Sequence, residues 1–144
     1  MDFKRFLLAA ILFMIVAQVF HTIGAIATMG FYSDPSYLSV WSKIMMPSAG
    51  PPPAIFYYLS AGFGLITSMV YVYAYTVLKK AIPGKEYFRK GVSYGALLFL
   101  IGTFPGSLSM ILLINIPVAL VIEWALEGMV ISMIGGILIA RLMD

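Results

Sequence analysis

The sequence predicts an all-α membrane protein: a four-transmembrane-helix up-and-down bundle with a short interfacial helix between spans 1 and 2. Three observations lead there. The 144 residues are 62% hydrophobic and 10% charged, against roughly 25% charged in soluble domains, and the mean hydropathy is +1.00. Four apolar runs are each long enough to cross a ~30 Å hydrocarbon core. With four spans, eight of the nine Lys and Arg residues fall on one side, as the positive-inside rule requires. One membrane domain over residues 1–144 is expected, with no room for a separate soluble one.

The first run, residues 6–29, contains no Asp, Glu, Lys or Arg. As a helix it reaches ~36 Å. A signal peptide also opens with basic residues and an apolar stretch, but this run exceeds its usual apolar length of ~7–15 residues. A first membrane span is therefore expected. The longest connection follows, residues 30–52. Ser33 or Asp34 can cap a helix that has Pro35 at its first position. Tyr37, Leu38, Trp41, Ile44 and Met45 then recur on one helical face, and Tyr and Trp favour the water–lipid boundary. This predicts an interfacial helix over residues 35–46, with Trp41 as an interface anchor. Gly50 and the prolines after it end the connection.

The second span is expected over residues 53–78. Its tyrosines cluster toward both ends, as an aromatic belt does. Residues 79–90, KKAIPGKEYFRK, carry five Lys or Arg and read first as a topology determinant. The third span is placed at 91–114, where Pro105-Gly106 should kink the helix or interrupt its hydrogen bonding. Asn115-Ile116-Pro117 supplies the only turn before the fourth span, 117–142, because proline disfavours helix before it and suits the first helical turn. Lys4, Arg5, Lys79, Lys80, Lys85, Arg89, Lys90 and Arg141 share one side, and Lys43 lies on the other. The expected location is the cell membrane, multi-pass, with both termini cytoplasmic. Gly128, Ser132, Gly136 and Ala140 on the fourth span, and Gly91/Gly95 and Gly102/Gly106 on the third, form stripes that let helices approach closely. Packing within the bundle is the first reading of these stripes, and dimerisation the second.

Polar groups inside the spans are the candidates for function. Glu123 and Glu127 are four residues apart and share a helical face, at ~9 and ~15 Å from Pro117 along the axis. His21, the one histidine, and Gln18 share a face of the first span at matching depth. Trp124 adjoins Glu123 inside the membrane and can wall a pocket. A charged side chain at a helix centre costs roughly 2.5–3.5 kcal/mol on insertion scales, so the carboxyls must face a polar pocket or take up a proton. Two such neighbours titrate as a coupled pair.

Other chemistries lack their residues. Without cysteine there is no disulfide, thiolate nucleophile or cysteine metal site. No phosphate-binding glycine loop, His-Glu-x-x-His or nucleophile elbow occurs. No catalytic residue, metal site or cofactor is assigned. The net charge of +3 follows topology and does not mark a nucleic-acid partner. The expected partners are the lipid bilayer, a small-molecule or cation ligand, and copies of the chain or a larger membrane complex. The leading function is binding or translocating a proton, cation or small ligand through an outer-half pocket built on Glu123, Glu127, His21, Gln18 and Trp124. The alternative is a non-catalytic accessory or assembly subunit. An intramembrane enzyme using the glutamates as acid and base ranks third.

Overall fold

The computed structural model describes residues 2–48 and 50–144. Among these there is no strand. The helices are α1 (Phe3–Ala27), α2 (Met29–Ser33), a 3₁₀ helix (Pro35–Val40), α3 (Ala54–Leu78), α4 (Tyr87–Leu98), a π turn (Phe99–Thr103), α5 (Phe104–Leu113) and α6 (Val118–Met143). Four helical stretches are long and apolar enough to cross a membrane: α1, α3, the continuous stretch Tyr87–Leu113, and α6.

The ends of the spans follow local chemistry. Asp2 caps α1 by accepting from the Lys4 and Arg5 backbone N–H groups at 3.0 and 3.4 Å. The first span therefore begins at Phe3, earlier than hydropathy alone indicates. The third begins at Tyr87, because Arg89 and Lys90 join its first turn and can reach the interface on their long stems. At Pro105 the helix is locally rewound rather than ended. The Phe104 N–H bonds to the Phe99 carbonyl, five residues back. This π turn accommodates a proline that lacks an N–H and would crowd the carbonyl four residues before it.

The connection between the first two spans departs from expectation. A helix over 35–46 is predicted, but a 3₁₀ helix covers only Pro35–Val40. Asp34 starts it, accepting from the Ser36 N–H at 2.9 Å and the Ser36 hydroxyl at 2.6 Å. Trp41 then turns extended, which carries its ring over the bundle instead of along an interface.

Span 1 packs against spans 2 and 4, and span 4 packs most extensively against span 3. The close α4–α6 contact is made by small residues. A Cβ on Gly91 would strike the backbone of Ile137, one on Gly95 the backbone of Ser132 and Met133, and one on Gly136 the backbone of Gly91 and Gly95. These stripes are used inside the bundle, whereas Gly102 and Gly106 face open space.

Spans 2 and 3 meet near the end that carries Lys79–Lys90, called the basic end below. There the Tyr94 hydroxyl donates to the Tyr71 carbonyl at 2.5 Å, and the Tyr75 and Tyr94 rings stack edge to face at 5.1 Å. Both rings are fully buried, so these two tyrosines belong to the core and not to an aromatic belt. Tyr57, Tyr58, Tyr73 and Tyr87 are exposed, as a belt requires. The core cluster includes Phe6, Ala9, Phe13, Val72, Leu98, Ile131 and Ile139, all in the basic half. Among the described residues of the far half, Met46, Ile116, Leu120 and Val121 are buried apolar side chains, outside that cluster. Spans 2 and 3 do not pack extensively there, and a cavity lies between them.

Candidate functional site

Three helical positions bring charge together in the far half. Gly24 is buried on α1. A Cβ there would lie 2.6 Å from Glu123 Oε1 and 2.6 Å from Glu127 Oε2. Both carboxyls therefore rest on the bare backbone of α1, and these two oxygens are separated by no more than twice that distance. The four-residue spacing puts both acids on the α1-facing side of α6. His21, one turn before Gly24, places Nδ1 at 2.5 Å from Glu127 Oε1, with the Glu127 side chain only 8% exposed. Glu127 Oε1 and Glu123 Oε2 make no aligned hydrogen bond. The imidazole and the carboxyl thus touch without a well-directed bond.

One imidazole cannot compensate two half-buried carboxylates, each with one oxygen shut off from solvent. If both are ionised, at least one negative charge remains uncompensated in a low-dielectric setting, where unpaired charge is costly. The cluster is electrically complete only with a further positive species. Among the described residues, no three His, Cys, Asp or Glu side chains are arranged to hold a metal ion.

Beside the cluster lies a cavity of about 600 Å³ walled by all four spans, well within the range of small-molecule sites. His21 and Gln18 of α1, Ser60 and Phe63 of α3, Thr103 of the π turn and Trp124 of α6 are on its wall. Tyr71 and Ser132 lie toward its basic end. Among the described residues the wall includes no Lys, Arg, Asp or Glu. The two glutamates sit behind it, and His21, its side chain 61% exposed, connects Glu127 to the cavity.

An aromatic cap covers the cluster. Trp124 Nε1 donates to the Tyr32 hydroxyl at 2.9 Å. The Tyr32 and Trp41 rings are 5.0 Å apart and Trp41 and Trp124 6.2 Å. Burial pushes the Tyr32 phenol above its ordinary range and the Glu123 and Glu127 carboxylates add to that, while the bond from Trp124 opposes it. The phenol is therefore neutral at physiological pH and keeps an O–H to donate.

Of the five residues singled out in the sequence, Glu123, Glu127 and His21 converge, and Trp124 lines the cavity and bonds Tyr32. Gln18 does not join the carboxyls. Its Nε2 donates to Ser60 Oγ at 3.1 Å, which ties α1 to α3. Gly24, Tyr32 and Trp41 were not foreseen as part of the site. A signal for two of them exists: His21, Gly24, Thr28 and Tyr32 fall on one helical face at steps of three and four. The α1 helix continues into α2 closely enough to preserve that face. Thr28 stabilises the junction by donating its hydroxyl to the Gly24 carbonyl at 2.7 Å. Comparisons with family models, with curated proteins and with solved structures return no match to this chain.

Proposed function

We propose that this multi-pass membrane protein is a binding protein for a small amphipathic ligand with a cationic or proton-donating head. The tail occupies the far-half cavity. The head addresses His21, and through it the Glu127–Glu123 pair. With both termini cytoplasmic, the cavity opens on the outer half of the membrane. The carrying observation is the buried carboxyl pair with unpartnered oxygens beside a roomy cavity. A ligand ammonium or a proton supplies the charge that the pair lacks. A cavity wall without Lys or Arg disfavours anionic heads.

Both tryptophans of the chain lie in the aromatic cap, which makes intrinsic fluorescence a reporter of this site. The test titrates octylamine, octanol and octanoate, three heads on one tail, into the detergent-solubilised protein. Octylamine should give a saturable change, octanol a weaker one and octanoate the weakest. Glu127→Gln and His21→Ala should each abolish the preference for the amine. Equal responses to all three heads, or an amine response unchanged in Glu127→Gln, would overturn the reading.

A further inference from the structure

We propose a second binding site, at the basic end, for the phosphate headgroup of an anionic phospholipid. A shallow, open depression lies there between Lys79 and Lys80 at the end of α3, the turn through Gly84 and Lys85, Lys90 of α4, and Asp144 after α6. Four lysines and one aspartate line it. Their commitments differ. Lys79 Nζ donates to the Met143 carbonyl at 2.9 Å and so caps the end of α6. Lys90 Nζ pairs with Asp144 Oδ2 at 3.1 Å, with the side chains 19% and 26% exposed. Among the described residues Lys80 and Lys85 have no hydrogen-bond or ion-pair partner. Two cations are thus fixed by the fold and two are left to a ligand.

The concavity is built into the backbone. Gly84 adopts φ +125°, and a Cβ there would sit 2.7 Å from the Lys90 N. The turn is therefore pressed against the first turn of α4, which holds Lys85 and Lys90 on one depression. Leu78, Tyr87 and Phe88 are exposed beside it, and the Arg141 guanidinium lies 5.9 Å from the Tyr87 ring centroid. Apolar and aromatic side chains next to a lysine-lined hollow at a span boundary match the depth of a lipid headgroup. A topology determinant needs only basic residues on one side. It does not need them gathered around a hollow with a carboxylate seated in it. Asp144 occupies part of the space in which a phosphate would be held, and so acts as a built-in competitor.

Native mass spectrometry of the detergent-solubilised full chain tests this with three probes: dioleoylphosphatidylglycerol, dioleoylphosphatidylcholine and glycerol 3-phosphate. Phosphatidylglycerol should bind more tightly than phosphatidylcholine, whose choline opposes the lysines. Lys80→Ala and Lys85→Ala should each weaken it about fivefold, the effect of one lysine near an anionic surface. Asp144→Asn should strengthen it by about the same factor. Lys43→Ala removes the same charge at the other end and should change nothing. Glycerol 3-phosphate failing to bind would place the phosphate on a lipid. Lysine-dependent binding of glycerol 3-phosphate as tight as that of phosphatidylglycerol would keep the phosphate site and make its source soluble. Equal binding of the two lipids, a Lys43→Ala loss as large as the others, or no gain in Asp144→Asn would overturn the proposal.

Discussion

Gly24→Ala probes the carboxyl cluster with a single carbon. The new Cβ would stand 2.6 Å from an oxygen of each glutamate and 3.2 Å from Glu127 Cδ. Ordinary heavy-atom contacts lie near 3.5–4.0 Å, so both carboxyls would have to retreat by roughly 1 Å. Glu127 has little freedom to do so, with His21 at 2.5 Å and its side chain 8% exposed. Overpacking of this kind costs about 1–3 kcal/mol. Against it stands the helix preference for alanine over glycine, about 0.8–1.0 kcal/mol. The expected net is a loss of up to ~2 kcal/mol. The assay is equilibrium unfolding in mixed micelles with SDS, followed by far-UV circular dichroism. Gly62→Ala calibrates it, because a Cβ on that α3 residue meets nothing within 4 Å; it should gain the helix increment alone. In a Glu123→Ala/Glu127→Ala background the same Gly24→Ala change should also become stabilising by ~1 kcal/mol. If Gly24→Ala stabilises the otherwise unaltered chain as much as Gly62→Ala does, the carboxyls do not rest on α1 and the site is misdrawn.

Three further outcomes follow from the same geometry. Gly95→Ala should destabilise by ~3 kcal/mol or more in the same unfolding assay, because its Cβ would stand 2.7 Å from Met133 Cα and backbone cannot swing aside. Tyr94→Phe should cost about 1 kcal/mol for the lost bond to the Tyr71 carbonyl, without altering tryptophan emission from the distant cap. Tyr32 carries a pH signature. Its phenol is raised by burial, so its contribution to stability is intact below the ordinary value of ~10 and is lost as pH rises through the folded value. An alkaline change in tryptophan emission should therefore appear, and Tyr32→Phe should remove it; an unaltered transition in that variant would exclude the cap as its source.

Depth and helical face were readable from the sequence, and neighbours were not. Counting residues from Pro117 and from Met29 set Glu123, Glu127 and His21 at one level, and the structure brings the three together. The same counting put Gln18 with them, yet it bonds Ser60, because rotation about the α1 axis decides between α3 and α6. Sequence periodicity does not specify that rotation in an apolar helix. Nor did hydropathy indicate that span 1 lies between spans 2 and 4 while spans 2 and 3 stand apart. The small-residue stripes implied a close approach without naming the partner. Trp41 and Tyr32 were obscured for another reason. Aromatic residues at span ends suit an interface equally well, and only the short 3₁₀ helix with its extended exit carries Trp41 inward. Gly24 gave no polar signal, since its role is to leave room.

The pairing of Tyr94 with Tyr71 has a mechanical consequence. Spans 2 and 3 are joined to each other at one end and run apart from it, over ~25 Å of helix from Tyr71 to Ala54 and ~28 Å from Tyr94 to Leu113, span 2 held along the way by span 1 and span 3 by span 4. They form two arms with a common pivot. At that leverage a tilt of roughly 5° moves the far ends by roughly 2 Å and works against the Gln18–Ser60 bond on one arm and the Thr103–Gly128 approach on the other. The width of the cavity is then set by the packing of span 2 on span 1 and of span 3 on span 4 as much as by the tyrosine pivot.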